Sequence, residues 1–189
     1  MYRSFVVTAL AAAALATASS DALAQSPRRA SVGIAAGASV PVGDLGDVYS
    51  TGYHIRGLLD IKGSPTSPIG FRIEAAYDKL GEKDDNGREY RTLSGTGNLV
   101  LGFPSASTVT PYVIGGVGVY NTKAEIGDID IPSDDDNVDE TTTDFGLNAG
   151  FGLKFALSGF STFAEVRYNW ISRDPNAAQY IPIVFGITF

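Results

Sequence analysis

Along most of residues 31–189, apolar side chains return at every second position. A period of two is the signature of a strand with two unlike faces. The pattern is sharpest at the end of the chain, Ile181-Pro182-Ile183-Val184-Phe185-Gly186-Ile187-Thr188-Phe189. There Ile181, Ile183, Phe185, Ile187 and Phe189 share one face, and Pro182, Val184, Gly186 and Thr188 share the other. Seven earlier segments repeat the arrangement. Ser31–Val40 sets Val32, Ile34, Ala36, Ala38 and Val40 against Ser31, Gly33, Ala35, Gly37 and Ser39. Tyr53–Lys62 sets Tyr53, Ile55, Gly57, Leu59 and Ile61 against His54, Arg56, Leu58, Asp60 and Lys62. Gly70–Leu80 sets Phe71, Ile73, Ala75 and Tyr77 against Arg72, Glu74, Ala76 and Asp78. Tyr90–Phe103 sets Leu93, Leu99, Leu101 and Phe103 against Thr92, Ser94, Thr96 and Asn98. Pro111–Thr122 is less regular, with Val113, Val117 and Val119 on the apolar face and Ile114 and Tyr120 on the other. Asp144–Leu157 alternates without a break from Phe145 to Leu157. Thr162–Ile171 sets Ala164, Val166, Tyr168 and Trp170 against Phe163, Glu165, Arg167 and Asn169.

Eight such strands predict an all-β fold, an eight-stranded antiparallel up-and-down barrel. The predicted connections fall in two classes. Pro41–Gly52, Gly81–Glu89, Lys123–Thr143 and Ser172–Gln179 are the longer class, and Gly63–Ile69, Pro104–Thr110 and Ser158–Ser161 the shorter. A soluble barrel of lipocalin type would turn its apolar face inward around a ligand. Here the mixed face is crowded with Gly, Ala and Ser, which suits the narrow interior of eight strands. The greasy face carries aromatics near its ends: Tyr53, Tyr77, Tyr168 and Trp170 at the loop side, Phe71, Phe103, Phe155 and Phe189 at the turn side. Two aromatic girdles flanking an apolar band predict a transmembrane barrel with its apolar face toward lipid.

The N-terminus adds export. Arg3 is followed by a mostly apolar run from Phe5 to Ala18, and Ala22-Leu23-Ala24 has the form of a cleavage site. This predicts a signal peptide over residues 1–24 and one barrel domain over 25–189. Beyond residue 24 no run is long and apolar enough for a membrane helix. The chain has no cysteine, so neither disulfides nor a lipid-modified cysteine enter the picture.

Taken together, the C-terminal strand ending on Phe189, the Gly-rich Ile114-Gly115-Gly116-Val117-Gly118 stretch and Pro41-Val42-Gly43-Asp44-Leu45 resemble the small eight-stranded outer-membrane barrels of OmpA, OmpX and opacity type. The resemblance covers residues 29–189. It implies residence in a bacterial outer membrane, among its lipids and lipopolysaccharide. It also implies that Ile181, Ile183, Phe185, Ile187 and Phe189 form the signal read by the barrel-assembly machinery. The family's roles are structural, adhesive or loop-displaying, in a chain expected to be monomeric.

Charge then sorts the candidate chemistry. Arg56, Asp60, Arg72, Glu74, Asp78, Lys154, Glu165 and Arg167 all fall on the inward face, where unpaired charge is costly. A mixed-sign network is predicted, with Asp60 opposite Arg72 across the first turn and Lys154 opposite Glu165 across the third, if that turn centres near Gly159. Such a network fills the lumen; a narrow porin-like ion path is the alternative. Between Asn121 and Thr143, eight carboxylates meet one lysine, and that excess equals the formal net charge of −7 of the whole chain. Asp134, Asp135, Asp136, Asp139 and Glu140 lack the EF-hand pattern and read first as a solvated loop, with weak binding of a divalent cation as the lesser reading. Nucleic acid is disfavoured by the sign of the charge. The lone His54 points inward, no G-x-S-x-G elbow or His/Cys cluster occurs, and no enzyme, cofactor or metal site is predicted. A lipid-A-modifying enzyme and a lipocalin-like binder are the remaining, lesser readings.

Overall fold

The structure, a computed structural model, describes residues 29–64, 66–82, 89–103, 107–125, 140–173 and 176–189. The predicted signal peptide and most of the acidic loop, including Asp134, Asp135, Asp136 and Asp139, lie outside them. Eight strands follow one another: β1 Ala30–Val42, β2 Tyr49–Lys62, β3 Ile69–Glu82, β4 Glu89–Gly102, β5 Val109–Glu125, β6 Glu140–Ala156, β7 Ser161–Ile171 and β8 Ala178–Thr188. Each pairs antiparallel with its neighbour in sequence, and β8 returns to β1, from Gly33 opposite Thr188 to Val42 opposite Gln179. Closure leaves no strand edge, which lipid would not tolerate.

The alternation in the sequence is the alternation of the wall. On the outer face Ile34, Val117, Phe145, Phe151 and Phe185 are each at least 61% exposed. So continuous an apolar belt is incompatible with water and matches hydrocarbon. The aromatics at its two margins include the Tyr53–Tyr77 pair at one end and Phe160–Phe189 at the other.

Inside, glycines make room for rings. Tyr112 lies directly opposite Gly152, and Phe163 directly opposite Gly186. A Cβ on Gly152 would stand 2.4 Å from the Tyr112 ring, and one on Gly186 2.3 Å from that of Phe163. Tyr120 similarly crowds Gly146, where the distance would be 2.6 Å. The small residues of β6 and β8 are therefore seats for aromatics of the strands beside them.

Several connections are shorter than expected. β1 continues through Pro41 to Val42 and β2 begins at Tyr49, so the predicted loop Pro41–Gly52 contracts. Gly43 turns the chain with a positive φ of 59°, and a short helix, α1 (Asp44–Val48), follows. Its Leu45 packs on the buried cluster of Tyr120, Ile171, Ala178 and Tyr180, which closes the loop end of the lumen. β5 and β6 each run 17 residues, against 11 for β7 and β8, so the hairpin between them stands about 20 Å longer. Their ladder continues to Ala124 opposite Glu140, inside the stretch expected to be loop.

The third turn corrects a predicted contact. Leu157 N–H donates to Phe160 C=O at 2.9 Å, and Gly159 takes φ 88°. The two-residue bend Ser158–Gly159 displaces the ladder by two residues from the predicted Lys154–Glu165 pairing, which keeps every side chain on its face. Glu165 therefore faces Gly152, and Lys154 faces Phe163, not Glu165.

Candidate functional site: the lumen

The charged side chains predicted on the inner face divide into three groups along the barrel axis. In the middle, Arg56, Arg72 and Arg167 converge on Glu74 and Glu165, all five at most 5% exposed. Glu165 accepts from Arg56 Nη2 at 2.6 Å, Arg72 Nη1 at 3.0 Å, Arg167 Nη2 at 2.6 Å and the Tyr112 hydroxyl at 2.8 Å. Glu74 takes Arg167 through both terminal nitrogens and Arg56 Nη1 at 3.3 Å. Asn98 and Thr96 fill its remaining lone pairs, at 3.1 and 3.2 Å. Toward the turn end, Arg72 also grips Asp60 through two parallel bonds of 2.5 and 3.1 Å. The predicted Asp60–Arg72 opposition is thus a bidentate pair in register.

Three guanidiniums against three carboxylates leave this cluster electrically neutral. Aromatic faces complete it: Arg56 and Arg72 sit 5.8 and 5.3 Å from the centroid of Phe163, and Arg72 sits 5.7 Å from that of Tyr112. Planar guanidiniums can bond carboxylates edge-on and stack face-on at once, which lysines cannot do.

Toward the loop end, Asp78 forms a separate group. It accepts from His54 Nδ1 at 2.7 Å, from the Tyr180 hydroxyl at 3.2 Å and from Ser39 Oγ. His54 and Asp78 are opposite each other in the β2–β3 ladder. A carboxylate only accepts, so His54 carries its proton on Nδ1. The sequence placed Asp78 in one network with the arginines; its hydrogen bonds belong to this upper group instead. Ser39, His54 and Asp78 are all at most 3% exposed, and the gap beside His54 is only about 10 Å³.

Toward the turn end, Lys154 and Lys62 line an open cavity of about 360 Å³ whose inner wall includes Asp60, Arg72 and Tyr112. Lys154 thus belongs to a vestibule rather than to the central cluster. Among the described residues no group of His, Cys, Asp and Glu is arranged to hold a metal. The partners the sequence did not single out are Tyr112, Thr96 and Asn98 around the cluster, and Ser39 and Tyr180 around Asp78. Their inward phase was visible, but not their depth.

A closed antiparallel barrel with an apolar outer belt and a polar, charge-paired interior is an integral membrane barrel. The chain belongs to the family described as "Outer membrane protein beta-barrel domain", which it matches over residues 8–189. Among solved structures it is similar to Neisserial surface protein A, NspA, at 16% identity, covering 85% of this chain and 96% of that one with a TM-score of 0.66. The attachment invasion locus protein Ail of Yersinia pestis also aligns, at 16% identity over 85% and 97% with a TM-score of 0.52. So does the outer membrane enzyme PagL, at 23% identity over 82% and 97% with a TM-score of 0.52. No curated protein matches the chain. The fold is therefore shared by an enzyme and by surface proteins, and does not choose between them.

Proposed function

We propose that this chain is a non-conducting outer-membrane barrel that presents its long loops outside the cell and works without catalysing a reaction. One observation carries the reading: the Arg56–Arg72–Arg167–Glu74–Glu165 cluster, brought to neutrality by Asp60 on Arg72, sits across the middle of the lumen, with all five residues buried and both glutamates fully hydrogen-bonded. An ion crossing would have to break several charge-assisted bonds at once, each worth about 1.5–3 kcal/mol. The upper group argues in the same direction against catalysis. Ser39 and His54 both bond the same oxygen of Asp78, so the serine is tied to the acid rather than to the imidazole that would activate it.

In this reading the segment before residue 25 is a cleaved signal peptide. The C-terminal residues Ile181, Ile183, Phe185, Ile187 and Phe189 guide insertion by the barrel-assembly machinery. The mature chain is a monomer among outer-membrane lipids and lipopolysaccharide. The acidic stretch with Asp134, Asp135, Asp136 and Asp139, leading into Glu140 at the start of β6, is then the segment put on display, with structural or adhesive use.

Thiol accessibility tests the reading, because the chain has no cysteine of its own. Lys154→Cys and Ser94→Cys lie on the turn and loop sides of the cluster. In oriented proteoliposomes, a small charged thiol reagent added at the turn side should modify Lys154→Cys and leave Ser94→Cys intact. Modification of both at similar rates would reject a closed lumen.

A further inference from the structure

The register of the third turn leaves Lys154 without the carboxylate it was expected to face. It stands on β6 opposite Phe163 of β7 and Thr110 of β5. Asp60 lines the same cavity, but both of its oxygens are held by Arg72 at 2.5 and 3.1 Å. Arg72 and Asp60 are already counted in the neutral cluster. No other carboxylate among the described residues lines the cavity, so Lys62 and Lys154 give it two positive charges in excess. Two ammonium groups lining one cavity repel each other, and an anion between them relieves that repulsion. The cavity of about 360 Å³ falls within the usual range for small-molecule sites, roughly 300–1,000 Å³. It is closed inward by Arg72 and Tyr112, with Pro68 and Val100 supplying apolar wall.

We propose that this turn-end vestibule binds an oxyanion, a carboxylate or phosphate group, held by Lys154 and Lys62 with the Thr110 hydroxyl as a third donor. Short turns of such barrels face the periplasm, so the group comes either from a soluble periplasmic metabolite or from a lipid headgroup at the inner rim. The site does not depend on whether the lumen conducts.

The test uses the full mature chain refolded in zwitterionic micelles, with folding confirmed by heat-modifiable mobility. Inorganic phosphate and hexanoate are titrated by calorimetry at constant ionic strength. Saturable one-to-one binding is expected for at least one of them. Lys154→Met should weaken it by roughly tenfold or more, as loss of one charge-assisted bond implies, while Lys154→Arg retains it. Repeating the titration in phosphatidylglycerol and phosphatidylcholine bilayers separates the two sources. Weaker apparent binding only in the anionic bilayer assigns the site to a headgroup, and equal binding assigns it to a soluble anion. Absence of saturable binding to the folded protein, or equal binding by Lys154→Met, would overturn the proposal.

Discussion

Glu165 is the residue whose removal the lumen should tolerate least. It is 2% exposed and accepts hydrogen bonds from three arginines and a tyrosine, all between 2.6 and 3.1 Å. Glu165→Ala deletes one of the three negative charges that balance Arg56, Arg72 and Arg167, so one buried positive charge is left uncompensated. Breaking a buried ion pair by removing one partner costs about 3–5 kcal/mol. The number of bonds lost argues for the upper part of that range, about 4 kcal/mol, against total stabilities of about 5–15 kcal/mol. With a urea slope near 2 kcal/mol per molar, the unfolding midpoint should fall by roughly 2 M. The assay is reversible urea unfolding in lipid vesicles, followed by heat-modifiable mobility and by fluorescence of Trp170, the one tryptophan of the chain. A companion variant separates charge from cavity. Glu165→Gln combined with Arg56→Met restores neutrality, and should be clearly less destabilised than the sum of the two single changes. A loss below about 1 kcal/mol for Glu165→Ala, or strict additivity in the double variant, would refute the buried-charge argument.

Other outcomes follow from the same geometry. Lys154→Ala and Glu165→Ala should act additively in the same unfolding assay, because the register separates the two residues; a coupling well above about 0.5 kcal/mol would restore the direct pair. Gly152→Ala should cost about 1–3 kcal/mol by displacing the Tyr112 ring, whereas Gly57→Ala, with nothing near its Cβ, should be close to neutral. Equal midpoints for the two glycine variants would contradict the seating of rings on glycine. Phe185→Asp or Phe189→Asp should leave unfolded chain in the periplasm, since Phe185 is 72% exposed toward lipid and Phe189, directly after β8, donates its N–H to Val32 C=O of β1. Fractionation of expressing cells reads this directly, and normal insertion of both would remove the assembly role of the last strand.

How much of this was legible beforehand divides along physical lines. The inward or outward direction of each strand residue needs only period two, and it held even in β5, where Ile114 and Tyr120 were expected inward and are 4% and 1% exposed. Asp60 and Arg72 meet because both belong to one hairpin. The Lys154–Glu165 pairing failed because a hairpin register depends on which residues occupy the bend, and Ser158–Gly159 shifts the ladder. Contacts such as Arg56 with Glu165 join β2 to β7 across the lumen. They depend on the stagger of the closed barrel, which no local pattern carries. α1 was missed because five residues are too few for a helical period to emerge. The added length of β5 and β6 was hidden by loop-like composition in strands extending beyond the shorter β7 and β8.

A lumen that is a closed, charge-neutral core, as proposed, should carry no current. Conductance of the refolded chain in a planar bilayer, after its folded state has been verified by gel mobility, tests this. An electrically silent barrel is expected at moderate voltage, with current appearing only when the cluster is dismantled, as in Glu74→Ala combined with Glu165→Ala. Steady, ohmic single-channel conductance from the unaltered protein would contradict it.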